Sequence, residues 1–237
     1  MFIAGVVTAS VALGGEAVRH RTIVFRSSGA RITVDEYASR AAAHATSAVV
    51  ILYGSGGLRS TAFPYAAQAR AFVGGVRLVY LPHYLDVTHG SADEPQRQYG
   101  TWAQTVRDAL HEIRSHNGIP INRTFIIGYS LGGSVALVLG ASEPQLAGIV
   151  VWSGSLPDAY RDVRRLPPLL IIHGARDSVM PEYNARQLAT LCVLRQFSCR
   201  LNMYPEEGHA FSKAGVAAAD SQIRTFLDSI CDTIGAR

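Results

Sequence analysis

The chain has 237 residues, of which 48% are hydrophobic and only 17% are charged. Disordered chains have the opposite balance, so this composition excludes a largely disordered protein and predicts a buried core. Lys and Arg exceed Asp and Glu by 22 to 18, but the basic residues are scattered apart from the Arg164–Arg165 pair. Because nucleic-acid-binding proteins gather their basic residues in a patch or stripe, no nucleic-acid partner is expected.

An apolar segment at the N-terminus differs in composition from the rest of the chain. Phe2–Gly15 is almost wholly apolar or small, and no Lys or Arg precedes it. It is too short to span a bilayer, which takes about 20 residues, but it has the length of the apolar region of a signal peptide. Segment 1–17 is therefore either the signal peptide of an exported protein or an apolar start of a cytoplasmic one. Residues 18–237 are expected to form a single domain without a membrane span.

Strand-like and helix-like patterns alternate along residues 18–237. Thr22–Arg26 and Arg31–Tyr37 predict a β-hairpin. Continuous apolar runs predict strands buried on both faces: Ala48–Tyr53, Val76–Leu81, Phe125–Ile127, Ile149–Trp152 and Leu169–His173. Apolar residues at helical spacing predict two amphipathic helices: Trp102, Val106, Leu110 and Ile113 in one, and Ile223, Phe226, Leu227, Ile230 and Ile234 in the other. The alternation predicts an α/β fold with a mostly parallel sheet, an antiparallel edge and helices on both faces.

The most informative motif is G-x-S-x-G, which lies between a predicted strand and a segment that can form a helix. It reads Gly128-Tyr129-Ser130-Leu131-Gly132. In a sharp strand-to-helix turn the two glycines avoid collisions, and the serine is held with its hydroxyl exposed at the end of the sheet. This context predicts Ser130 as a nucleophile, whereas the alternative is a glycine-rich turn without chemistry.

A serine nucleophile needs a base, and the order expected in such a fold is serine, then an acid, then histidine. Asp177 follows the predicted strand ending at His173, and His209 follows the next strand-like segment. Asp177 would orient His209, which would take the proton of Ser130. His173 precedes the acid in the chain, so we interpret it as a structural neighbour of the site.

Acyl transfer also needs donors for the negative charge that develops on the carbonyl oxygen. The first is expected to be the Leu131 amide, directly after the nucleophile. The second is expected from the glycine-rich loop Tyr53-Gly54-Ser55-Gly56-Gly57, with the Ser55 amide favoured and Gly56 next. The loop has neither of the glycine motifs that bind phosphate, which argues against a nucleotide site.

These segments together resemble the dienelactone hydrolase family of the α/β-hydrolase fold. The resemblance runs from about Thr22 to Ile234 and rests on VVILYGSGGL, IIGYSLGG, VVWSGSLP, PPLLIIHGARDSVMP and YPEEGHAF. It implies an eight-stranded, mostly parallel sheet and a carboxylic ester or lactone hydrolase with Ser130, Asp177 and His209 as its catalytic triad. It implies no cofactor.

The sequence departs from this family at two positions. Members that hydrolyse dienelactones have a cysteine nucleophile where this chain has Ser130, and a glutamate where it has Tyr53. Both differences argue against dienelactone itself as the substrate and favour the serine-bearing relatives, whose substrates are diverse. No metal site is predicted, because no cluster of His, Cys and acidic residues has the spacing of metal ligands.

Two segments are expected to border the substrate pocket. Pro82–Tyr99 is a long connection without clear periodicity, and such connections are usually functional. Ser155–Leu166 is the second candidate wall. The residues expected to line the pocket are Tyr53, His83, Tyr84 and Tyr129. The chain has no length for a large cap domain, so a small ester or lactone is the expected substrate.

Two other functions remain open at this stage. One is a serine peptidase or acyltransferase on the same fold, and the other is a hydrolase fold that only binds a ligand. The intact triad residues and glycine loop favour hydrolysis. The oligomeric state is left open.

The three cysteines are Cys192, Cys199 and Cys231. Cys192 and Cys199 could form a disulfide in an exported protein. The interpretation favoured by the sequence is that all three are small buried hydrophobic residues.

Overall fold

A computed structural model describes residues 9–11, 18–39, 45–60, 63–74 and 77–235. Of the N-terminal segment 1–17, residues 1–8 and 12–17 lie outside the described residues, and so does Val76 at the start of one predicted strand. Whether segment 1–17 is a signal peptide therefore remains a prediction.

A single sheet of nine strands forms the centre of the described residues. The strands are β1 (Ala9–Val11), β2 (Val18–Ser27), β3 (Ala30–Ala38), β4 (Ser47–Leu52), β5 (Arg77–Pro82), β6 (Thr124–Tyr129), β7 (Gly148–Trp152), β8 (Leu169–Gly174) and β9 (Cys199–Tyr204). Their spatial order is β1-β2-β3-β5-β4-β6-β7-β8-β9. The six strands from β5 to β9 in this order run parallel, and β1, β2 and β3 form an antiparallel edge. The predicted eight-stranded, mostly parallel sheet is thus confirmed from β2 onward, and β1 extends it by one short strand.

The predicted β-hairpin is β2 and β3. Ser27 pairs with Ala30, which leaves Ser28 and Gly29 as the turn. Both have positive φ, 48° and 84°. This is the geometry of the tight turn whose twist matches that of the flanking strands. The hairpin therefore supplies the expected antiparallel edge.

Five helices cover the two faces of the sheet in the described part of the chain. They are α1 (Tyr65–Phe72), α2 (Pro95–Asn117), α3 (Leu131–Ser142), α4 (Tyr183–Arg195) and α5 (Lys213–Gly235). The helix α3 meets the side chain of Val151 in β7, whereas a Cβ at Gly148 of the same strand would meet Phe226 of α5. Side chains alternate along a strand, so positions 148 and 151 point to opposite faces and the two helices lie on opposite sides of the sheet. Gln68 of α1 donates a hydrogen bond to Asp220 of α5, which joins these two helices on one face. The predicted layering is confirmed.

The helix α2 confirms one predicted amphipathic pattern and shortens the connection before it. Trp102, Val106, Leu110 and Ile113 are all buried. The helix begins at Pro95, at a position where proline is well tolerated because the first helical N–H groups have no partner within the helix. The connection expected to extend over Pro82–Tyr99 therefore ends earlier, and it contains a short 3-10 helix, Tyr84–Thr88.

The cysteine interpretation was wrong for two of the three residues. Cys192 and Cys199 form a disulfide, with their Cα atoms 6.1 Å apart. The chain reverses direction between α4 and β9, with Gln196 at φ 57° and the Phe197 amide donating to the Cys192 carbonyl. This turn brings the two cysteines together. Cys231 is a free, half-buried thiol.

Candidate active site

The turn between β6 and α3 holds Ser130 in a strained conformation, with φ 52° and ψ −120°. A side chain at Gly128 would overlap the Gly132 carbonyl, and one at Gly132 would overlap the Leu52 carbonyl. The Ser130 amide donates to the Trp152 carbonyl of β7 at 2.8 Å. The motif therefore has the sharp geometry that its glycines predict, and Ser130 stands at the carboxyl end of the parallel strands.

The structure brings the three predicted triad residues together in one chain of hydrogen bonds. His209 Nε2 lies 3.0 Å from Ser130 Oγ, and His209 Nδ1 lies 2.8 Å from Asp177 Oδ2. Asp177 follows β8 and His209 follows β9, so each residue reaches the site from a different strand end. The Asp177 side chain is fully buried, and its Oδ1 accepts hydrogen bonds from the amides of Val179 and Met180 at 2.9 and 2.7 Å. These donors stabilise the charge of a buried carboxylate that acts as acceptor for His209.

Tyr129 supports the loop that carries His209. Its hydroxyl donates to the His209 carbonyl at 3.1 Å, and the two rings lie 5.3 Å apart. Burial, and after it the charge of Asp177, raises the pKa of Tyr129 to about 12, so this hydroxyl stays a donor at neutral pH. Tyr129 is only 4% exposed. It therefore supports the loop that carries His209 from inside the protein, whereas we expected it to line the substrate pocket.

His173 is placed as a structural neighbour of the triad. It is fully buried, and its Nε2 lies 2.7 Å from the Met180 carbonyl and 3.6 Å from Asp177 Oδ2. Burial lowers its pKa, which keeps the ring neutral. A neutral ring must donate from Nε2 to the carbonyl, so His173 anchors the loop that carries Asp177. The sequence did not reveal this anchoring role.

The glycine-rich loop after β4 lies against Ser130. A Cβ at Gly54 would be 3.3 Å from Ser130 Cβ, so only a glycine permits this close approach comfortably. The Gly57 amide donates to the Gly54 carbonyl at 3.0 Å and closes a turn with Ser55 and Gly56 at its tip. Leu131 starts α3 directly after Ser130. The loop that contains Ser55 and Gly56 thus begins beside Ser130, the residue that directly precedes Leu131.

Two residues expected to line the pocket are instead enclosed beneath this loop. Tyr53 is 4% exposed and Tyr84 is completely buried. Their rings stack at 4.7 Å, and the Tyr84 hydroxyl donates to the Tyr53 carbonyl at 2.6 Å. The 3-10 helix after β5 packs on β3 and α2, and it meets Tyr53, directly after β4, through this hydrogen bond. The third, His83, is half-buried, with Nε2 3.1 Å from Asp35 Oδ2.

A further residue next to this loop carried no recognisable sequence signal. The Gly54 amide donates to the Tyr65 hydroxyl at 2.7 Å. Tyr65 is the first residue of α1, it is 2% exposed, and it belongs to no motif.

The predicted second pocket wall, Ser155–Leu166, contributes to a cavity of about 390 Å³ beside α4. Ser155, Leu156 and Arg161 line one side, and residues of α4, including Tyr183 and Leu191, line the other. The Ser155 amide donates to Ser134 Oγ at 3.3 Å, which joins this wall to the first turn of α3.

No group of three or more His, Cys, Asp and Glu side chains in the described part of the chain is placed to hold a metal ion. Among the helices formed by the described residues, none combines the length and the apolar character needed to cross a membrane.

The sheet order, the strained serine at the strand–helix turn, and the acid and histidine behind later strands define an α/β-hydrolase. A family model described as phospholipase/carboxylesterase matches residues 81–227, which is more than half of the chain. The chain therefore belongs to the phospholipase/carboxylesterase family of α/β-hydrolases.

Individual relatives agree with this family and with the dienelactone hydrolase resemblance. A protein of Oryza sativa subsp. japonica named as a carboxylesterase is 30% identical over 153 residues, which is 61% of this chain and 56% of that protein. An Escherichia coli (strain K12) protein named as a carboxymethylenebutenolidase is 27% identical over 122 residues, which is 46% of this chain and 45% of that protein. The chain spans about half the length of these curated relatives.

A solved structure extends the likeness in fold to nearly the whole chain. A dienelactone hydrolase-like promiscuous phosphotriesterase from metagenomic libraries superposes with a TM-score of 0.79 at 15% identity, covering 91% of this chain and 99% of that one. At this identity the match shows the fold alone. The family resemblance read from the motifs is confirmed.

Proposed function

We propose that this protein is a carboxylic ester hydrolase that cleaves ester or lactone bonds of small substrates through an acyl-enzyme intermediate on Ser130. One observation carries the proposal: the unbroken hydrogen-bond chain from Ser130 through His209 to Asp177. The names of the relatives, carboxylesterase and carboxymethylenebutenolidase, support the same class of reaction.

In the proposed reaction His209 Nε2 takes the Ser130 proton as Oγ attacks the ester carbonyl. The tetrahedral oxyanion is stabilised by the amides of Leu131 and Ser55, with Gly56 as the alternative to Ser55. Collapse expels the alkoxide, which receives the proton from His209. Water then attacks the acyl-enzyme with His209 as base, and the carboxylic acid leaves as Ser130 is regenerated. Asp177 holds the histidine tautomer and stabilises the imidazolium formed in each step. These steps use no metal and no cofactor.

Two features argue for substrates other than dienelactone. The nucleophile is Ser130, and Tyr53 occupies the position of the family glutamate. The Tyr53 side chain is buried and its hydroxyl accepts a hydrogen bond from the Leu85 amide at 3.2 Å. It therefore offers no carboxylate to a substrate.

All residues of the connection from β7 to β8 are described, and its only helix is a short 3-10 helix, Asp158–Tyr160. The connection therefore forms no large cap over the site, which argues for small acyl groups. We expect acetate and butyrate esters to be hydrolysed faster than long-chain esters. A strong preference for long chains would contradict this part of the proposal.

The test is intact-mass labelling with a fluorophosphonate probe. Wild type should take up one label rapidly, Ser130→Ala should take up none, and Ser115→Ala, which removes an exposed serine on α2, should behave as wild type. Absence of labelling in wild type would overturn the proposal and favour a hydrolase fold that only binds a ligand.

A further inference from the structure

The peptide group between Tyr53 and Gly54 is held at both of its polar atoms by buried tyrosine hydroxyls. The Tyr84 hydroxyl donates to the Tyr53 carbonyl at 2.6 Å, and the Gly54 amide donates to the Tyr65 hydroxyl at 2.7 Å. In a trans peptide the carbonyl and the N–H point in opposite directions, so the two tyrosines grip the group from opposite sides. We call Tyr65 and Tyr84 the tyrosine clamp.

The clamp fixes the part of the loop that approaches the nucleophile. Gly54, the second residue of the clamped peptide, is the point where the loop meets Ser130 Cβ. The next peptide is fixed by the turn, because its carbonyl, that of Gly54, accepts from the Gly57 amide. The Ser55 N–H belongs to this same peptide and points away from that carbonyl, out of the turn. The orientation of the Ser55 amide therefore depends on two successive fixed peptides.

The clamp residues are themselves held rigidly. Tyr84 is fully buried, stacks on Tyr53 at 4.7 Å and meets the edge of Trp102 at 6.3 Å. Tyr65 packs against Phe63 at 4.8 Å. Burial raises the pKa of both phenols, so they remain neutral and the hydrogen bonds persist across the working pH range.

We propose that Tyr65 and Tyr84 are positioning residues that preform the oxyanion hole by fixing the loop whose Ser55 amide receives the developing negative charge. This inference rests on the proposed function. Donors fixed in advance stabilise the transition state without reorganisation, and a small misplacement of one of them costs much of the effect. The clamp thus acts on kcat and not on the binding of the ground state.

The test compares Tyr65→Phe, Tyr84→Phe and the double variant with wild type on p-nitrophenyl butyrate. Tyr80→Phe is the matched control, because Tyr80 is also fully buried and its hydroxyl accepts a hydrogen bond from Asn117 at 2.8 Å, in a contact between β5 and the end of α2. Each clamp variant should lower kcat by about 10- to 100-fold with KM within about twofold of wild type. Tyr80→Phe should keep kcat.

Three readouts separate positioning from a general loss of structure. The midpoint of the pH–rate profile should not move in the clamp variants, because the Tyr65 and Tyr84 hydroxyls touch neither Ser130 nor His209 in their hydrogen bonds. The affinity for a phenylboronic acid, whose adduct on Ser130 places an oxygen in the hole, should fall by the same factor as kcat/KM. The double variant should lose about as much as the worse single variant, because both hydroxyls hold one peptide group.

Thermal unfolding identifies variants that fail to fold, and each single variant tests one of the two hydrogen bonds independently of the other. Clamp variants as active as Tyr80→Phe would overturn the clamp and leave the proposed function intact. A Ser130→Ala variant that still hydrolyses the ester at the wild-type rate would overturn both the clamp and the proposed function.

Discussion

Two loops at the carboxyl edge of the sheet are held in place by different kinds of contact. The loop that carries Asp177 is held by short-range contacts, since the amides two and three residues further along donate to the Asp177 carboxylate, and by backbone hydrogen bonds such as that from the Arg176 amide to the Glu207 carbonyl. The loop that carries Ser55 is fixed by side chains distant in sequence. Tyr65 lies 11 residues from Gly54, and Tyr84 lies 31 residues from Tyr53.

The difference explains why the shape of one loop can be predicted from the sequence, whereas the shape of the other can be predicted only in part. A loop stabilised locally leaves a compact motif, such as the HGARD segment that ends at Asp177. A loop stabilised from outside leaves a motif for its own glycines only. The side chains that set its shape stand elsewhere in the chain without a recognisable pattern.

The largest expected effect tests the locally held loop. Asp177→Asn should lower kcat/KM by roughly 10⁴-fold, because the asparagine amide favours the wrong tautomer of His209. Steady-state ester hydrolysis measures this loss. Glu206→Gln is the control, since Glu206 is an exposed carboxylate three residues before His209 that pairs with Arg176. Equal activity of the two variants would remove Asp177 from the triad.

The next effect tests Gly128, the glycine that permits the sharp turn at Ser130. Gly128→Ala should destabilise the fold by several kcal/mol and abolish activity, because the new methyl group would meet the Gly132 backbone, which has no room to shift. Gly74→Ala is the matched control, because within the described part of the chain no atom beyond its immediate neighbours lies within 4 Å of a Cβ there. Urea unfolding of the two variants measures the difference. A stable Gly128→Ala variant would show that the turn can open.

The same contrast between local and distant stabilisation decides what the sequence could predict. The proximity of Ser130, Asp177 and His209 could be predicted because each sits in a short motif directly after a strand. The hydrogen bonds of Tyr65 and Tyr84 to the Tyr53–Gly54 peptide could not be predicted, since Tyr84 was expected to line a pocket and Tyr65 carried no signal. The disulfide was only the less favoured alternative, because its pairing depends on the turn between α4 and β9. The start of α2 was placed too late, because its first turn is polar and shows no apolar periodicity.

A smaller effect, outside both loops, is expected from the disulfide. The double variant Cys192→Ser/Cys199→Ser should have a free energy of unfolding about 2–3 kcal/mol lower than wild type, because without the disulfide the unfolded chain gains conformational entropy. Both active-site loops are held by other contacts, so kcat should stay within about twofold of wild type. Thermal unfolding and ester hydrolysis under the same conditions measure this. The Cys231→Ser variant, which removes the unpaired thiol, is the control. A large loss of kcat would show that the end of α4 is coupled to the site.

The smallest effect concerns His173, which anchors the loop that carries Asp177, and the pH dependence of the free energy of unfolding. Burial lowers the pKa of His173, so the unfolded chain binds a proton at this residue more readily than the folded one. The corresponding stability is present above the ordinary histidine pKa of about 6.5 and is lost as the pH falls below it. His173→Gln, which does not titrate, should lose less stability between pH 7.5 and pH 5 than wild type. Urea unfolding at the two pH values tests this, and an equal loss in both proteins would exclude His173 as the source.

The most direct test of the whole account is to trap the acyl-enzyme. Wild type is mixed rapidly with p-nitrophenyl acetate, quenched in acid and analysed by peptide mass mapping. The account predicts an acetyl group on the peptide that contains Ser130, formed within the first turnover and lost as hydrolysis proceeds. Ester hydrolysis without acetylated Ser130, at a rate that Ser130→Ala retains, would contradict it.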